Sequence, residues 1–138
     1  MPAWELPWPK VTTNHLWVRA SRGQLRLSEA AVLWRDEVIV IVRQSGFRVP
    51  AGPLQVSLWL TPPDRRHRDA DNLVKLTLDS VAAGLGIDDN CFRELHIYLM
   101  GLEGHRGDGG LLVRVRAAGA RDSLDAWREA DVGLAQAE

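Results

Sequence analysis

Cysteine is almost missing from this 138-residue chain. The only one, Cys91, excludes an internal disulfide and any zinc site built on cysteine clusters. Long apolar runs are missing too. None reaches the ~18 residues of a membrane span, so no membrane association is expected. The first residues carry no apolar stretch of signal-peptide type, and the expected compartment is the cytoplasm. Neither an internal repeat nor a linker interrupts the sequence. Lysine is scarce: Lys10 and Lys75 are the only two, and every other basic residue except histidine is an arginine. Arginine forks onto phosphate oxygens, where lysine offers a point charge.

What is present fits one globular domain. At 138 residues, with 46% hydrophobic and 25% charged residues, the chain can bury a sizeable core. The net charge of -1 conceals an asymmetry. Residues 1–68 carry ten basic and five acidic side chains, a balance of +5; residues 69–138 carry seven basic and thirteen acidic, a balance of -6. A basic half beside an acidic cluster suits a polyanion held near bound cations. Charges that merely decorate the surface account for the same totals.

The sign changes inside one stretch, residues 65–89, RRHRDADNLVKLTLDSVAAGLGIDD. Arg65, Arg66 and Arg68 are followed by Asp69 and Asp71, a helical pattern bearing Lys75, and then Asp88 and Asp89. The elements around it are legible. Residues 3–8 read as an edge strand limited by Pro7 and Pro9. Residues 9–27, with Asn14, Trp17, Arg19, Arg22 and Arg26, fit either a loop or a β-excursion. Such arginines beside tryptophans suit nucleic-acid contact, although core tryptophans and solvated arginines give the same pattern. Ser28 caps a helix over 29–44, with Ala30, Trp34, Val38, Ile41 and Val42 as its apolar stripe and Gly46 as its stop.

Residues 54–60 alternate as a strand, with Leu54, Val56, Leu58 and Leu60 on one face. A second helix is expected over 71–83, broken by Gly84 and Gly86. Residues 92–100 form a third strand with Leu95, Ile97 and Leu99 on one face, and residues 111–117 a fourth. These two are expected to pair as a hairpin across the glycine-rich segment 101–110. A short C-terminal helix can begin at Ser123. The fold class is α+β: a mixed sheet of about four strands with two main helices, over residues 1–118, followed by a tail or helix over 119–138.

In non-helical backbone, residues i and i+2 point the same way, so Asp69 and Asp71 can face one point. Asp88 and Asp89 join them if the intervening helix packs back beside the sheet. Magnesium takes hard oxygen ligands at ~2.0–2.1 Å and keeps several waters, so two or three aspartates at element ends suffice, and manganese should substitute. Each residue also has a plainer use. Asp69 or Asp71 can cap the helix, Asp71 and Lys75 can form a surface pair, and Asp88-Asp89-Asn90 can be a turn. Spacing alone leaves both sets of uses open.

The stretch resembles the RusA family of Holliday junction resolvases in its basic run, its D-x-D-N-L-x-K helix and its terminal D-D. Weaker likenesses are LPWP near the start, Asn14, Arg22-Gly23, Ser28, WRDEV at 34–38 and Gly110-Leu111; Lys10 departs from the pattern. The resemblance implies that Asp69, Asp71 and Asp89 are catalytic metal ligands and that Lys75 is the functional lysine. It implies a homodimer that binds four-way DNA junctions and makes paired symmetric cuts with magnesium. Arg65, Arg66 and Arg68, with Arg22 and Asn14, are the expected DNA contacts. Two other classes compete. A non-catalytic junction-binding accessory protein would need the basic surface but not the carboxylates. A small-molecule phosphohydrolase with a D-x-D-x-[TV] motif would not place Leu73 at the last position.

Overall fold

A computed structural model describes residues 3–10, 16–63, 70–100 and 108–119. In chain order the elements are β1 (Ala3–Leu6), β2 (Trp17–Arg19), β3 (Leu25–Leu27), α1 (Glu29–Gln44), β4 (Leu54–Thr61), α2 (Ala70–Leu85), β5 (Phe92–Leu99) and β6 (Gly110–Ala117). Four strands make a mixed sheet in the order β1-β6-β4-β5, and β2 and β3 pair separately. The α+β class holds. The expected C-terminal helix and the segment 101–107 lie outside the described residues.

Local chemistry sets the ends of the helices. The Ser28 side chain accepts a hydrogen bond from the Ala31 amide at 3.2 Å, satisfying one of the amides that a helix start leaves unpaired. The buried face of α1 is Ala31, Trp34, Val38 and Val42, so Ala31 takes the place expected for Ala30. Trp34 donates its indole N–H to the Pro7 carbonyl at 2.8 Å, which ties α1 to the end of β1. In α2, Leu73, Val74, Leu76, Val81 and Ala82 are buried. Its two buried hydroxyls, Thr77 and Ser80, donate to the carbonyls of Leu73 and Leu76 one turn back, so neither is left unsatisfied.

The second helix does not break at Gly84 but runs on to Leu85. The reason is tertiary. A Cβ added at Gly84 would lie 2.8 Å from Cβ of Val42, so the missing side chain is what lets α1 and α2 pass. The chain turns instead at Gly86, whose φ of 70° is the left-handed geometry that ends helices. Gly84→Ala is expected to lower stability by about 1–3 kcal/mol through overpacking. Its denaturation midpoint should fall while the slope stays that of the wild type. An unchanged midpoint would mean that the helices separate easily.

One apolar cluster joins both helices to one face of the sheet. Val56, Leu58 and Leu60 of β4 and Val113, Val115 and Leu111 of β6 meet Trp34, Val38, Leu73 and Leu76 there. The expected hairpin of the last two strands does not form. β5 pairs with β4 in parallel, β6 pairs with β4 antiparallel on the other side, and β6 also pairs with β1. Strand alternation reports which side chains share a face but not which strand is the neighbour. With α2 as the connection, β4 and β5 form a parallel crossover unit, which a short loop cannot make. β6 buries Leu111, Val113 and Val115 almost completely and so occupies the centre.

The opposite face of the sheet is polar and aromatic. Gln55 accepts from Arg116 and lies near His96, whose ring meets Glu94 at 3.1 Å. That hydrogen bond leads the causes that hold the Glu94 carboxyl below its ordinary pKa. Trp59 and Tyr98 stack with centroids 5.3 Å apart, and the Arg114 guanidinium lies 5.4 Å from the Trp59 ring centroid.

Candidate active site

The central stretch occupies the β4–α2–β5 unit. Asp71 stands exposed in the first turn of α2, where a carboxylate favours the positive end of the helix. Lys75 and Asp79 follow at intervals of four, so the three share one stripe spanning about 12 Å of helix axis. The turn after α2 gives its two aspartates different work. Asp88 accepts the Asn90 amide at 3.1 Å and caps the short 3-10 turn Asp89–Cys91. Asp89 instead lies in the turn that packs back on α2, close enough to Asp79 to act on its carboxyl.

Asp79 is thus the residue that sequence reading did not place in the site. Burial, then the hydrogen bond to Asp89 and the charge of Asp89, raise its carboxyl above the ordinary pKa of 3.8; Lys75 works in the opposite direction. An ionised Asp79 beside the Asp89 carboxyl is a like-charge contact, and a hard cation relieves such repulsion. The available signal was the spacing, since Asp71, Lys75 and Asp79 lie on one helical face. What the spacing could not reveal was Asp89 arriving opposite Asp79.

A pH prediction follows. A carboxyl with a raised pKa in the folded state gives its full stabilisation below the unfolded pKa and loses it as pH rises through the folded value. Asp79→Asn keeps a donor for Asp89 and removes that loss. In EDTA, the melting temperature of the variant relative to wild type should be near zero difference around pH 3.5 and positive at pH 7, since carboxyls ionise above about pH 4. Calorimetry across that range checks it. A difference independent of pH would show that Asp79 and Asp89 do not communicate.

The small β2–β3 sheet supplies Trp17, read from the sequence as a nucleic-acid contact or a core residue and not as a partner of the lysine. Trp17 places its ring 4.9 Å from the Lys75 ammonium, a cation–π contact that restricts where the lysine can reach. Trp17 pairs with Leu27 at the base of this hairpin, and Arg22 sits at its tip. Arg22 has a φ of 69° and Gly23 one of 73°, so the turn holds an exposed arginine in the left-handed region, uncommon outside glycine. The turn is closed by the Ala20 amide donating to the Gln24 carbonyl at 2.6 Å. Arg19 and Arg26 are exposed on the same hairpin.

Of the expected site residues, the structure brings Lys75 and Asp89 toward Asp79, places Asp71 two turns earlier on the same stripe, and sets Arg22 on the neighbouring hairpin. Asp69, Arg65, Arg66, Arg68 and Asn14 lie outside the described residues. Among those described, no three carboxylate, histidine or cysteine side chains converge into a closed metal cage. Asp79 and Asp89, which do come together, offer hard oxygen donors of the kind a divalent cation takes while keeping much of its water.

Comparison with known proteins gives concordant results. The family profile described as Endodeoxyribonuclease RusA matches residues 7–116. The crossover junction endodeoxyribonuclease of Enterobacteria phage 82 is 36% identical over 86 residues, covering 61% of this chain and 70% of the relative. Proteins of the same name from Shigella sonnei and Escherichia coli K12 are each 35% identical over the same length and shares.

Proposed function

Because this chain belongs to the RusA family of endodeoxyribonucleases, we propose that it is a magnesium-dependent resolvase. It acts as a homodimer in the cytoplasm, cutting four-way DNA junctions by paired symmetric incisions. The observation that carries the reading is the return of Asp89 onto the α2 face that bears Lys75 and Asp79, within the span the family profile matches.

Asp69, Asp71 and Asp89 would hold the cation, and manganese should substitute for magnesium. When bound, the cation would supply polarisation of the scissile phosphate and acidification of a water. The protein's own side chains do the rest. Lys75 offsets negative charge developing on the phosphate oxygens. Trp17 limits the lysine to one region of space, so less freedom is lost when the phosphate arrives. Asp79 holds Asp89 on the α2 face. Arg65, Arg66 and Arg68, together with Arg22 at its hairpin tip and Asn14, hold the DNA backbone, since contacts to phosphate fix register without reading sequence. No helix among the described residues is long and apolar enough to cross a membrane.

A labelled four-way junction and a matched linear duplex, each incubated in magnesium and in EDTA, test the proposal. Paired nicks in the junction alone, lost in EDTA, are expected. Tight junction binding without cuts in magnesium or manganese would identify an accessory protein instead. Binding should also weaken steeply with salt, with a log–log slope near -0.9 per phosphate neutralised.

A further inference from the structure

The strand β5 is misplaced for a monomer. It lies at the edge of the sheet, yet residues 95–100 read LHIYLM, the near-continuous apolar run of a strand covered on both faces. Leu95, Ile97 and Leu99 register with Val56, Leu58 and Leu60 of β4 and so point toward the helix side. They share one face, as expected, and the helices do not cover them: Leu95 is 45%, Ile97 42% and Leu99 69% exposed. On the other face Tyr98 is 46% exposed. Among the described residues no strand pairs with the outer edge of β5.

The two edges of the sheet differ. β1 is only four residues long, and its two inward side chains, Trp4 and Leu6, are buried. β5 is eight residues long, has no proline or lysine, and carries its charges, Arg93 and Glu94, at one end. Natural sheets blunt exposed edges with such residues, or cover them. The single irregularity in the β4–β5 register lies at its start, between Leu54 and Gln55, so Glu94 to Leu99 remain regular.

We propose that β5 is the two-fold interface between two copies of this chain, pairing antiparallel with its own counterpart. The partner is selected by self-complementarity. A two-fold centred on Ile97 sets Ile97 against its symmetry mate, Leu95 against Leu99 and His96 against Tyr98, with no like charges opposed. Each copy contributes a sheet edge that no strand among the described residues covers and an exposed apolar row, and one operation closes both. The two four-stranded sheets then become one eight-stranded sheet. This rests on the homodimer of the proposed function and gives it a location.

The test uses the full chain. In a Cys91→Ser background, Ile97→Cys places two thiols opposite each other across the two-fold, within the 4.4–6.8 Å Cα separation that disulfides accept. Mild oxidation should convert more than half of the protein to a covalent dimer, while Leu33→Cys on α1, at a position more exposed than Ile97, should remain monomeric on a non-reducing gel. Separately, Ile97→Glu should raise the dimer dissociation constant at least 100-fold by sedimentation. Its far-UV spectrum should not change, because the side chain is exposed in the protomer. Removal of residues 120–138 should leave association unchanged. A monomeric wild type, a dimeric Ile97→Glu protein, or a dimer lost with the tail would each overturn the interface. Junction cutting by the wild type is scored independently: a β5-linked dimer that never cuts refutes the nuclease, and a cutting enzyme that dimerises elsewhere refutes only β5.

Discussion

Asp71→Asn is expected to reduce junction cutting below about one-thousandth of wild type, a loss of roughly 4 kcal/mol of transition-state stabilisation. Junction affinity measured in EDTA should stay within about threefold, since phosphate contacts dominate affinity and the proposed ones lie on the arginines. Asp71 is exposed in the first turn of α2, so the amide brings no packing defect. The neutral side chain keeps the shape and loses the charge, which separates metal binding from folding. Magnesium titrated into the metal-free protein should release less heat with the variant. Undiminished cutting by Asp71→Asn would remove this aspartate from the active site altogether.

Lys75→Ala is expected to have the second largest effect, a fall of about 10²–10³ in cutting rate, as for the loss of one donor to developing charge. Magnesium binding by the same protein should persist, because the lysine repels the cation rather than holding it. Lys75→Arg should rescue poorly, since a planar fork cannot take the place of a compact ammonium. The contact with Trp17 makes a graded version of the experiment possible. Trp17→Leu should slow cutting only about two- to fivefold, the equivalent of a cation–π contact of ~0.5–1 kcal/mol. In the Lys75→Ala background the same substitution should do nothing more, because the ring then has no cation to hold. Additive losses would mean that Trp17 serves the fold and not the lysine.

The sequence announced some features and concealed others for physical reasons. Ser28 as a cap and the alternation of β4 are local, and local rules found them. The β2–β3 hairpin stayed undecided between loop and β-excursion because three-residue strands are too short to display a period. The order of the last two strands escaped because pairing is a property of the whole sheet. Gly84 read as a breaker because its reason for being there, Val42, lies in another helix. At the site, spacing alone did not choose between caps and ligands for Asp71 and Asp89. The motif resemblance chose, and the structure then separated Asp88, committed to a turn, from Asp89, turned toward Asp79. Asp79 and Trp17 acquire meaning only through partners that the fold brings to them.

The central position of β6 has a consequence for synthesis. Ala3 waits for Arg114 as its partner, and β4 has no antiparallel neighbour until the same strand exists. At roughly 5–20 residues per second, about 5–20 s separate the making of the two halves of that first pairing. The whole β4–α2–β5 unit, with Lys75, Asp79 and Asp89, is translated before the strand that anchors it. A ribosome-bound chain therefore carries Lys75, Asp79 and Asp89 without the sheet that fixes them in place, and the proposed site is withheld until β6 has been made.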